Sequence, residues 1–252
     1  MGTLGVRLRY WLLGIVVLGC ASGAVVYLLL NKQPPAVEAP ASSPGITLPG
    51  AAPITPLGNI QDDASLWKIV NKHTPFTDSQ YAPNDLETVG VAVRTDVPAE
   101  EHSLRRGVMP SLEQLFQALA AQGFDAVVAS GYRSYDLQTK YYTTYVALHG
   151  QTEADKFSAA PGTSEHQSGL AFDIANADSS CYLAACFGDT ALGKWLAAHA
   201  HNYGFVLRYP KDKTNVTGYT YEPWHFRYVG SDLANALFTS GLTLEEAAPY
   251  LR

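Results

Sequence analysis

Residues 161–174 read PGTSEHQSGLAFDI, and this stretch decides the fold of the domain around it. Its Pro-Gly pair marks a turn, and the short apolar run Leu170–Ala175 is typical of a buried strand. His166 precedes that strand and Asp173 lies on it, so a tight turn at Gly169 would bring the imidazole and the carboxylate together. The stretch therefore predicts a strand whose entrance carries two polar groups that can act jointly.

Helices and short strands flank this stretch without a strict β-α-β alternation. Ser111, Ser134 and Thr190 stand at N-terminal cap positions, and β-branched or aromatic runs indicate the strands. The helices are expected at 111–123, 135–149, 190–204 and 232–251, and the strands at 125–130, 170–175, 205–209 and 225–229. The predicted fold class is α+β, with a small, mostly antiparallel sheet flanked by helices.

A second motif, Glu222-Pro-Trp-His225, stands at the entrance of the last predicted strand. Pro223 stiffens this entrance, so that the carboxylate and the imidazole can point into one cleft. Two imidazoles and one carboxylate fit a catalytic zinc ion, which keeps a position open for water, and a remaining carboxylate can then serve as general base. A single histidine is more often a buried side chain satisfied by a carbonyl group, but four suitable residues in two short motifs favour a metal centre.

Four runs of sequence resemble the VanY-type zinc D-alanyl-D-alanine carboxypeptidases of bacterial cell walls. They are SGYRS (130–134), PGTSEHQSGLAFDI (161–174), GFVLRYPKDK (204–213) and TGYTYEPWHFRYVG (217–230). The resemblance covers roughly residues 112–251, and the order, spacing and residue types of the motifs all match. It implies zinc as cofactor and the small α+β fold that this family shares with the amino-terminal hedgehog domain.

The resemblance also implies individual roles for five residues. His166, Asp173 and His225 would bind the zinc ion, Glu222 would be the catalytic base and Arg133 would be the cation that faces the substrate. We further expect Ser164 and Gln138 to make polar contacts with the substrate. Ser164 stands two residues before a ligand, and Gln138 lies one helical turn beyond Arg133.

The implied reaction is the removal of the C-terminal D-alanine from peptidoglycan stem peptides by a D,D-carboxypeptidase. An L,D-carboxypeptidase that acts on tetrapeptide stems uses the same chemistry, and the metal ligands alone do not separate the two. A non-catalytic, zinc-containing wall-binding module is a third hypothesis. Glu222 argues against it, because a binding module does not need a base beside the metal. The sequence does not indicate the oligomeric state.

Residues 11–30 read WLLGIVVLGCASGAVVYLLL, twenty residues without a charge. A helix of this length crosses a bilayer core of about 30 Å. Two arginines precede the segment and one lysine follows it, so the charge bias places residues 1–10 in the cytoplasm and the domain outside, in the periplasm or cell wall. We expect an uncleaved signal anchor, and a lipoprotein attached at Cys20 or a cleaved signal peptide are the alternatives.

Residues 31–57 are rich in Pro, Ala, Gly and Ser and hold no aromatic side chain, which predicts an extended linker. A single domain is then expected over 58–252. From position 33 onward the chain has 14 basic and 23 acidic side chains, a formal charge of −9. Nucleic-acid binding needs clustered basic residues, so this balance argues against nucleic acid as a partner.

Two cysteines, Cys181 and Cys186, lie in the predicted domain. An oxidising compartment would permit a disulfide between them, and two small buried thiols are the alternative. The stretch around them, 178–188, lies outside the four matching runs and is expected to shape one rim of the cleft. Elsewhere, we interpret Arg208, Lys211 and Lys213 as a solvated basic turn, and His199 and His201 as structural or solvent-facing.

Overall fold

The computed structural model describes residues 45–251; the predicted membrane span at 11–30 lies outside them. Among the described residues, no helix combines the length and apolar character needed to span a bilayer. The strands are β1 (Leu86–Thr88), β2 (Ser103–Arg105), β3 (Ala126–Ser130), β4 (Ala171–Asn176), β5 (Phe205–Tyr209) and β6 (Glu222–Tyr228). The α-helices are α1 (Met109–Ala121), α2 (Tyr135–His149), α3 (Gln151–Phe157), α4 (Ala191–His199), α5 (Thr214–Thr217), α6 (Ser231–Ser240) and α7 (Leu244–Ala247). Short 3-10 turns occupy Ala99–His102, Arg106–Val108, Glu165–Ser168, Ala185–Asp189, Ala200–Tyr203 and Ala248–Tyr250.

A four-stranded sheet in the order β3-β4-β6-β5 carries the candidate site, and each neighbouring pair of strands is antiparallel. Asp173 on β4 lies opposite His225 on β6, and Ser130 at the end of β3 lies opposite Asp173. Tyr209 at the end of β5 lies opposite Glu222 at the start of β6. The predicted α+β class with a small antiparallel sheet is confirmed, and the strand register brings distant motifs together.

One face of this sheet builds the main hydrophobic core. Phe172 and Ile174 on β4 and Phe226 on β6 are fully buried there, together with leucines of α1 and α4. Successive side chains of a strand point to opposite faces of the sheet. Asp173 and His225 therefore point away from this core, and the alternation of the strands places the polar groups on the other face.

Residues before position 58, where the sequence analysis starts the domain, already pack into a hydrophobic core. Leu48 and Ile54 are buried in a second hydrophobic core, which also contains Trp67 and leucines of α6. Burial of a large aliphatic side chain contributes about 1.5–3 kcal/mol, enough to offset the ordering of a few linker residues. The linker predicted over 31–57 is therefore too long at its C-terminal end. The prediction rested on average composition, which does not show that Leu48 and Ile54 pack into a core.

Helix α1 begins two residues before the predicted cap. The 3-10 turn Arg106–Val108 runs directly into it, and Val108 at the cap position makes no side-chain cap bond. Pro110 stands in the first turn, where its missing N–H group costs nothing, because the first N–H groups of a helix have no partner within it. Ser111 is thus a helical residue, whereas Ser134 and Thr190 do cap α2 and α4 as predicted.

Candidate metal centre and catalytic cavity

Three of the predicted site residues form a compact buried cluster. His166 stands in the 3-10 turn before β4, Asp173 on β4 and His225 on β6. Each is about 3% exposed, and one ligand atom from each lies within 4.8 Å of the other two. His225 Nδ1 is 3.1 Å from Asp173 Oδ1, and His166 Nε2 is 3.4 Å from Asp173 Oδ2. The structure thus brings the three predicted ligands together.

Two glycines from different segments set the position of His166. Gly169 ends the 3-10 turn with φ +66°, a backbone conformation that residues with a Cβ atom rarely adopt. Gly131 lies against the backbone of a neighbouring segment, where a Cβ atom would come within 2.6 Å of the carbonyl oxygen of Ser103. Its own carbonyl oxygen accepts a hydrogen bond of 2.7 Å from His166 Nδ1. Because a carbonyl only accepts, Nδ1 carries the proton and Nε2 presents a lone pair to the cluster.

His225 is oriented from its other side by a residue that the sequence analysis did not single out. Its Nε2 atom lies 3.6 Å from Oε2 of Glu165, a completely buried carboxylate. Arg208 Nε and Arg227 Nη1 donate to Oε1 of the same carboxylate at 2.8 and 3.0 Å. These charges, acting against burial, hold the pKa of Glu165 well below its usual range. A carboxylate beside the outer nitrogen of an imidazole fixes the ring and leaves Nδ1 free for a ligand.

The donor set fits a zinc ion. Among residues 45–251, Asp173 Oδ1 is buried and receives no hydrogen bond of good geometry, although His225 Nδ1 faces it at 3.1 Å. A cation shared by these two donors would satisfy both. Burial would raise the pKa of Asp173, but His166 and His225 hold it well below the usual range, so the carboxylate is ionised. Two imidazole nitrogens and one carboxylate oxygen are a known ligand set of catalytic zinc.

Glu222 lies beside the cluster and is not one of its three ligands. Its Oε2 atom is 3.8 Å from His225 Nδ1, and its side chain is only 10% exposed. Burial, opposed in part by the charge of His225, raises the pKa of the Glu222 carboxyl to about 7. A carboxylate that binds protons near neutral pH, next to a metal site, has the properties of a general base.

Arg133 reaches the cluster from the end of β3. Its Nη2 atom lies 3.4 Å from Asp173 Oδ2, and its Nε atom donates to Ser130 Oγ at 3.1 Å. Its Nη1 atom donates to Oε1 of Gln138 at 2.9 Å, and Gln138 Nε2 donates to the carbonyl oxygen of Ala159 at 2.7 Å. The amide of Gln138 therefore holds the guanidinium group in place.

These residues line one cavity with a volume of about 310 Å³. Ser164, predicted to contact the substrate, is buried at its wall. Tyr209 and Tyr219 also line the cavity; their rings lie 4.5 Å apart, and the ring of Tyr209 lies 4.8 Å from that of His225. Neither tyrosine was predicted from the sequence as a site residue, although each stands in a run that carries the family resemblance.

The disulfide prediction is confirmed, and the prediction of a solvated basic turn is wrong for one residue. Cys181 and Cys186 are bonded, with their Cα atoms 5.5 Å apart, and Leu183 between them lines the cavity. Arg208 is only 2% exposed and pairs with both Glu165 and Glu245. Its position next to a turn suggested exposure, but it lies on β5, where its side chain points into the buried ion network.

A metal-ligand cluster with a further carboxylate beside it, in a cavity on one face of an antiparallel sheet, defines a metal-dependent hydrolase. A family model described as VanY, D-alanyl-D-alanine carboxypeptidase, matches residues 101–231. The putative carboxypeptidase YodJ of Bacillus subtilis (strain 168) is 39% identical over 190 residues, which cover 75% of this chain and 69% of that protein. The chain belongs to the VanY D-alanyl-D-alanine carboxypeptidase family.

Solved structures agree with this assignment. The LdcB LD-carboxypeptidase is similar with a TM-score of 0.71 and 38% identity, over 78% of this chain and 91% of that chain. A mutant of the vancomycin resistance D,D-pentapeptidase VanY in complex with Zn(II) has a TM-score of 0.59 and 32% identity, over 74% of this chain and 98% of that chain. These findings confirm the predictions of a metallopeptidase and of zinc as its cofactor.

Proposed function

We propose that this protein is a zinc-dependent D,D-carboxypeptidase that removes the C-terminal D-alanine from peptidoglycan stem peptides. The observation that carries the proposal is the separation of roles in the cavity: three buried donors lie within 4.8 Å of one another, and Glu222 stands next to them without joining the cluster. A wall-binding module without catalysis has no need of such a carboxylate. The family assignment supports the same activity.

His166, Asp173 and His225 would hold the zinc ion, which when bound lowers the pKa of coordinated water to about 7 and polarises a carbonyl group. Glu222 takes the proton from the attacking water and passes it to the departing amine. Arg133, held by Gln138, donates hydrogen bonds to the carbonyl oxygen as negative charge develops on it. Loss of one such donor typically costs about 3–4 kcal/mol of transition-state stabilisation.

The position of Ser164 and Gln138 in the wall of the cavity supports a role for both in binding the peptide. Both residues are buried and line the cavity, so a polar contact made there is shielded from water. A carboxypeptidase must hold the free terminal carboxylate of its substrate. We assign the two residues to polar contacts with this end of the peptide.

An L,D-carboxypeptidase is the second candidate, and one observation favours it. The LdcB LD-carboxypeptidase has a TM-score of 0.71 with this chain, against 0.59 for the Zn(II)-bound D,D-pentapeptidase. The two reactions share the metal ligands and the base and differ in the stereocentre on the amino side of the scissile bond. The family model and the D-alanyl-D-alanine carboxypeptidase of Enterococcus faecalis, which is 36% identical over 201 residues, favour the D,D reaction.

An assay of the purified full-length chain, loaded with zinc, would distinguish the D,D reaction from the L,D reaction. The chain should be incubated with a stem pentapeptide and a stem tetrapeptide in separate reactions, and the products should be identified by mass. We expect release of D-alanine from the pentapeptide and little from the tetrapeptide. Release from the tetrapeptide alone would establish the L,D reaction, and release from neither would contradict the proposed function.

We also propose that the domain works outside the cytoplasm, anchored by residues 11–30. A disulfide between Cys181 and Cys186 supports this location, because such bonds persist in oxidising compartments and are rare in the cytosol. The charge bias around the apolar segment and a wall-peptide substrate point the same way.

A further inference from the structure

The segment 178–188, here called the rim loop, contributes Leu183 to the lining of the cavity. Its disulfide joins Cys181 to Cys186, and Leu183 between them lines the same cavity as Glu222 and His225. Leu183 is half-buried, so part of its side chain is available for contact. The loop therefore presents an apolar side chain next to the polar groups of the proposed reaction.

The backbone of the rim loop is held in an unfavourable conformation. Ser179, Cys181 and Leu183 have φ values of +61°, +54° and +43°. Among residues 45–251, Asp212 is the one other residue besides glycines with a positive φ. Such conformations persist only where the surrounding structure enforces them, and they concentrate at active sites and ligand clamps.

Contacts on both sides enforce this conformation. The guanidinium group of Arg94 lies 4.3 Å over the ring of Tyr182 and donates to Ser179 Oγ at 2.8 Å. At the other end of the loop, Phe187 is completely buried in the main core. The disulfide closes the segment between these two contacts, and these restraints limit the movement of the backbone around Leu183.

The size of the cavity indicates what Leu183 can contact. A volume of about 310 Å³ is at the lower end of the range for small-molecule sites, about 300–1,000 Å³. A stem peptide is larger than this space, so only its reacting end fits inside. The polar groups at the metal cluster serve the scissile bond, and the residues before that bond must pass over a rim.

We propose that Leu183 is a specificity-determining residue that packs against the stem peptide beside the scissile bond, and that the Cys181–Cys186 disulfide holds it there. The inference rests on the proposed function and adds to it the surface that recognises the peptide. Holding the contact residue in place before binding removes the entropy cost of ordering a loop when the peptide binds.

The test is Leu183→Ala in the full-length, zinc-loaded chain, with whichever stem peptide the parent cleaves. We expect KM to rise about 5- to 30-fold, the effect of losing one to two kcal/mol of apolar contact, while kcat and zinc content stay near those of the parent. Leu148→Ala is the matched control, because Leu148 is 70% exposed on α2 and does not line the cavity. It should leave both kinetic constants unchanged.

Cys181→Ser combined with Cys186→Ser tests the disulfide without a thiol reductant, which would itself bind zinc. We expect the double variant to have a raised KM, as Leu183→Ala does, and to retain its zinc. Leu183→Gly should melt no lower than the parent, because glycine adopts a positive φ freely, and should still raise KM.

The outcomes separate the two proposals. A parent that cleaves neither peptide overturns the proposed function and this inference with it. A parent that cleaves one peptide while Leu183→Ala behaves like Leu148→Ala overturns the inference alone. An unchanged KM in the double cysteine variant, with a raised KM in Leu183→Ala, would reject the role of the disulfide.

Discussion

Single residues in this site are defined by what surrounds them more than by their type. Asp173 and Glu222 are both buried carboxylates on the same sheet, yet their pKa values move in opposite directions. Asp173 lies against two imidazoles that stabilise its charge, whereas burial dominates at Glu222 and raises its pKa to about 7. The lowered pKa of Asp173 suits a metal ligand, which must be ionised, and the raised pKa of Glu222 suits a group that takes up and releases a proton.

Glu222→Gln is expected to reduce hydrolysis severely and retain zinc. The amide keeps the shape of the side chain but does not take a proton, so turnover should fall about 100- to 10,000-fold. Zinc content measured by atomic absorption should match that of the parent. Glu113→Gln, an exposed glutamate on α1, is the control and should keep full activity. Retained turnover in Glu222→Gln would remove this residue as the base.

His166→Ala is expected to lose the metal. Ligand binding to the folded state alone stabilises a protein by about 4 kcal/mol when the ligand is present at 1,000 times its Kd. A chelator should therefore lower the melting temperature of the parent and leave that of His166→Ala unchanged. His199→Ala, an exposed histidine on α4, should respond to the chelator like the parent. Unchanged zinc stoichiometry in His166→Ala would reject the ligand set.

At the scale of secondary-structure elements, a buried ion network ties the site to the carboxyl-terminal helices. Arg208 on β5 donates to Glu165 before β4 at 2.8 Å and, through Nη1, to Glu245 Oε2 on α7 at 2.8 Å. Arg227 on β6 completes the set around Glu165. These contacts tie the turn that carries His166 to two strands and, through Arg208, to one helix.

Glu245→Gln is expected to destabilise the fold. Removal of one member of a buried charge network costs about 3–5 kcal/mol when it leaves the partner unpaired; here Glu165 still faces Arg208, so we expect about 2–4 kcal/mol. The free energy of unfolding should be measured in urea. Glu246→Gln is the control on the same helix, since its pair with Lys213 is more exposed and contributes about 1 kcal/mol or less. Equal losses in the two variants would contradict a special role for the buried network.

The stability difference between the parent and Glu245→Gln should depend on pH. Burial would raise the pKa of Glu245, but Arg208 lowers it below its ordinary value in the folded state. The stabilisation is therefore fully present above the unfolded-state pKa of about 4.3 and is lost as the pH falls through the lowered pKa of the folded state. Urea unfolding of both proteins at pH 7 and near pH 3 should show the difference shrinking in acid. A difference that grows in acid would contradict this assignment.

At the scale of the whole molecule, the chain combines two parts of different composition. The acidic domain carries the metal centre, and the segment before residue 45 holds the apolar stretch proposed to anchor it. The disulfide is compatible with a location outside the cytoplasm, because the reductants that would break such a bond are found in the cytoplasm.

A reporter enzyme that folds only outside the cytoplasm, fused after Arg252, should be active in cells. The same fusion without residues 11–30 should be inactive if, as proposed, the apolar segment directs export. Fractionation should recover the first fusion with the membranes. Activity of the shortened fusion, or its absence in the full one, would contradict the proposed topology.

The sequence by itself indicated the strands of the main sheet, several helices and the residues of the metal cluster, whereas β1, β2, α3 and α5 were not predicted and α1 begins before its predicted cap. Apolar alternation and capping residues predicted α2, α4 and the sheet strands, and two short motifs contained all three ligands and Glu222. Local patterns suffice in such cases because they depend on residues close together in the chain. The residue types of the two motifs suggested a catalytic zinc ion, and the family resemblance supplied the individual ligands and the roles of Glu222 and Arg133.

Only the tertiary structure decided which polar residues are buried and what they meet. Glu165 and Arg208 read as ordinary charged residues, yet they form a buried pair that orients His225, and Leu48 in a linker-like stretch proves to be core. Leu183 reaches the cavity through a loop that matches no motif. The physical reason is that burial and partner distance depend on strand register and on segments far apart in sequence, whereas periodicity and capping depend only on near neighbours.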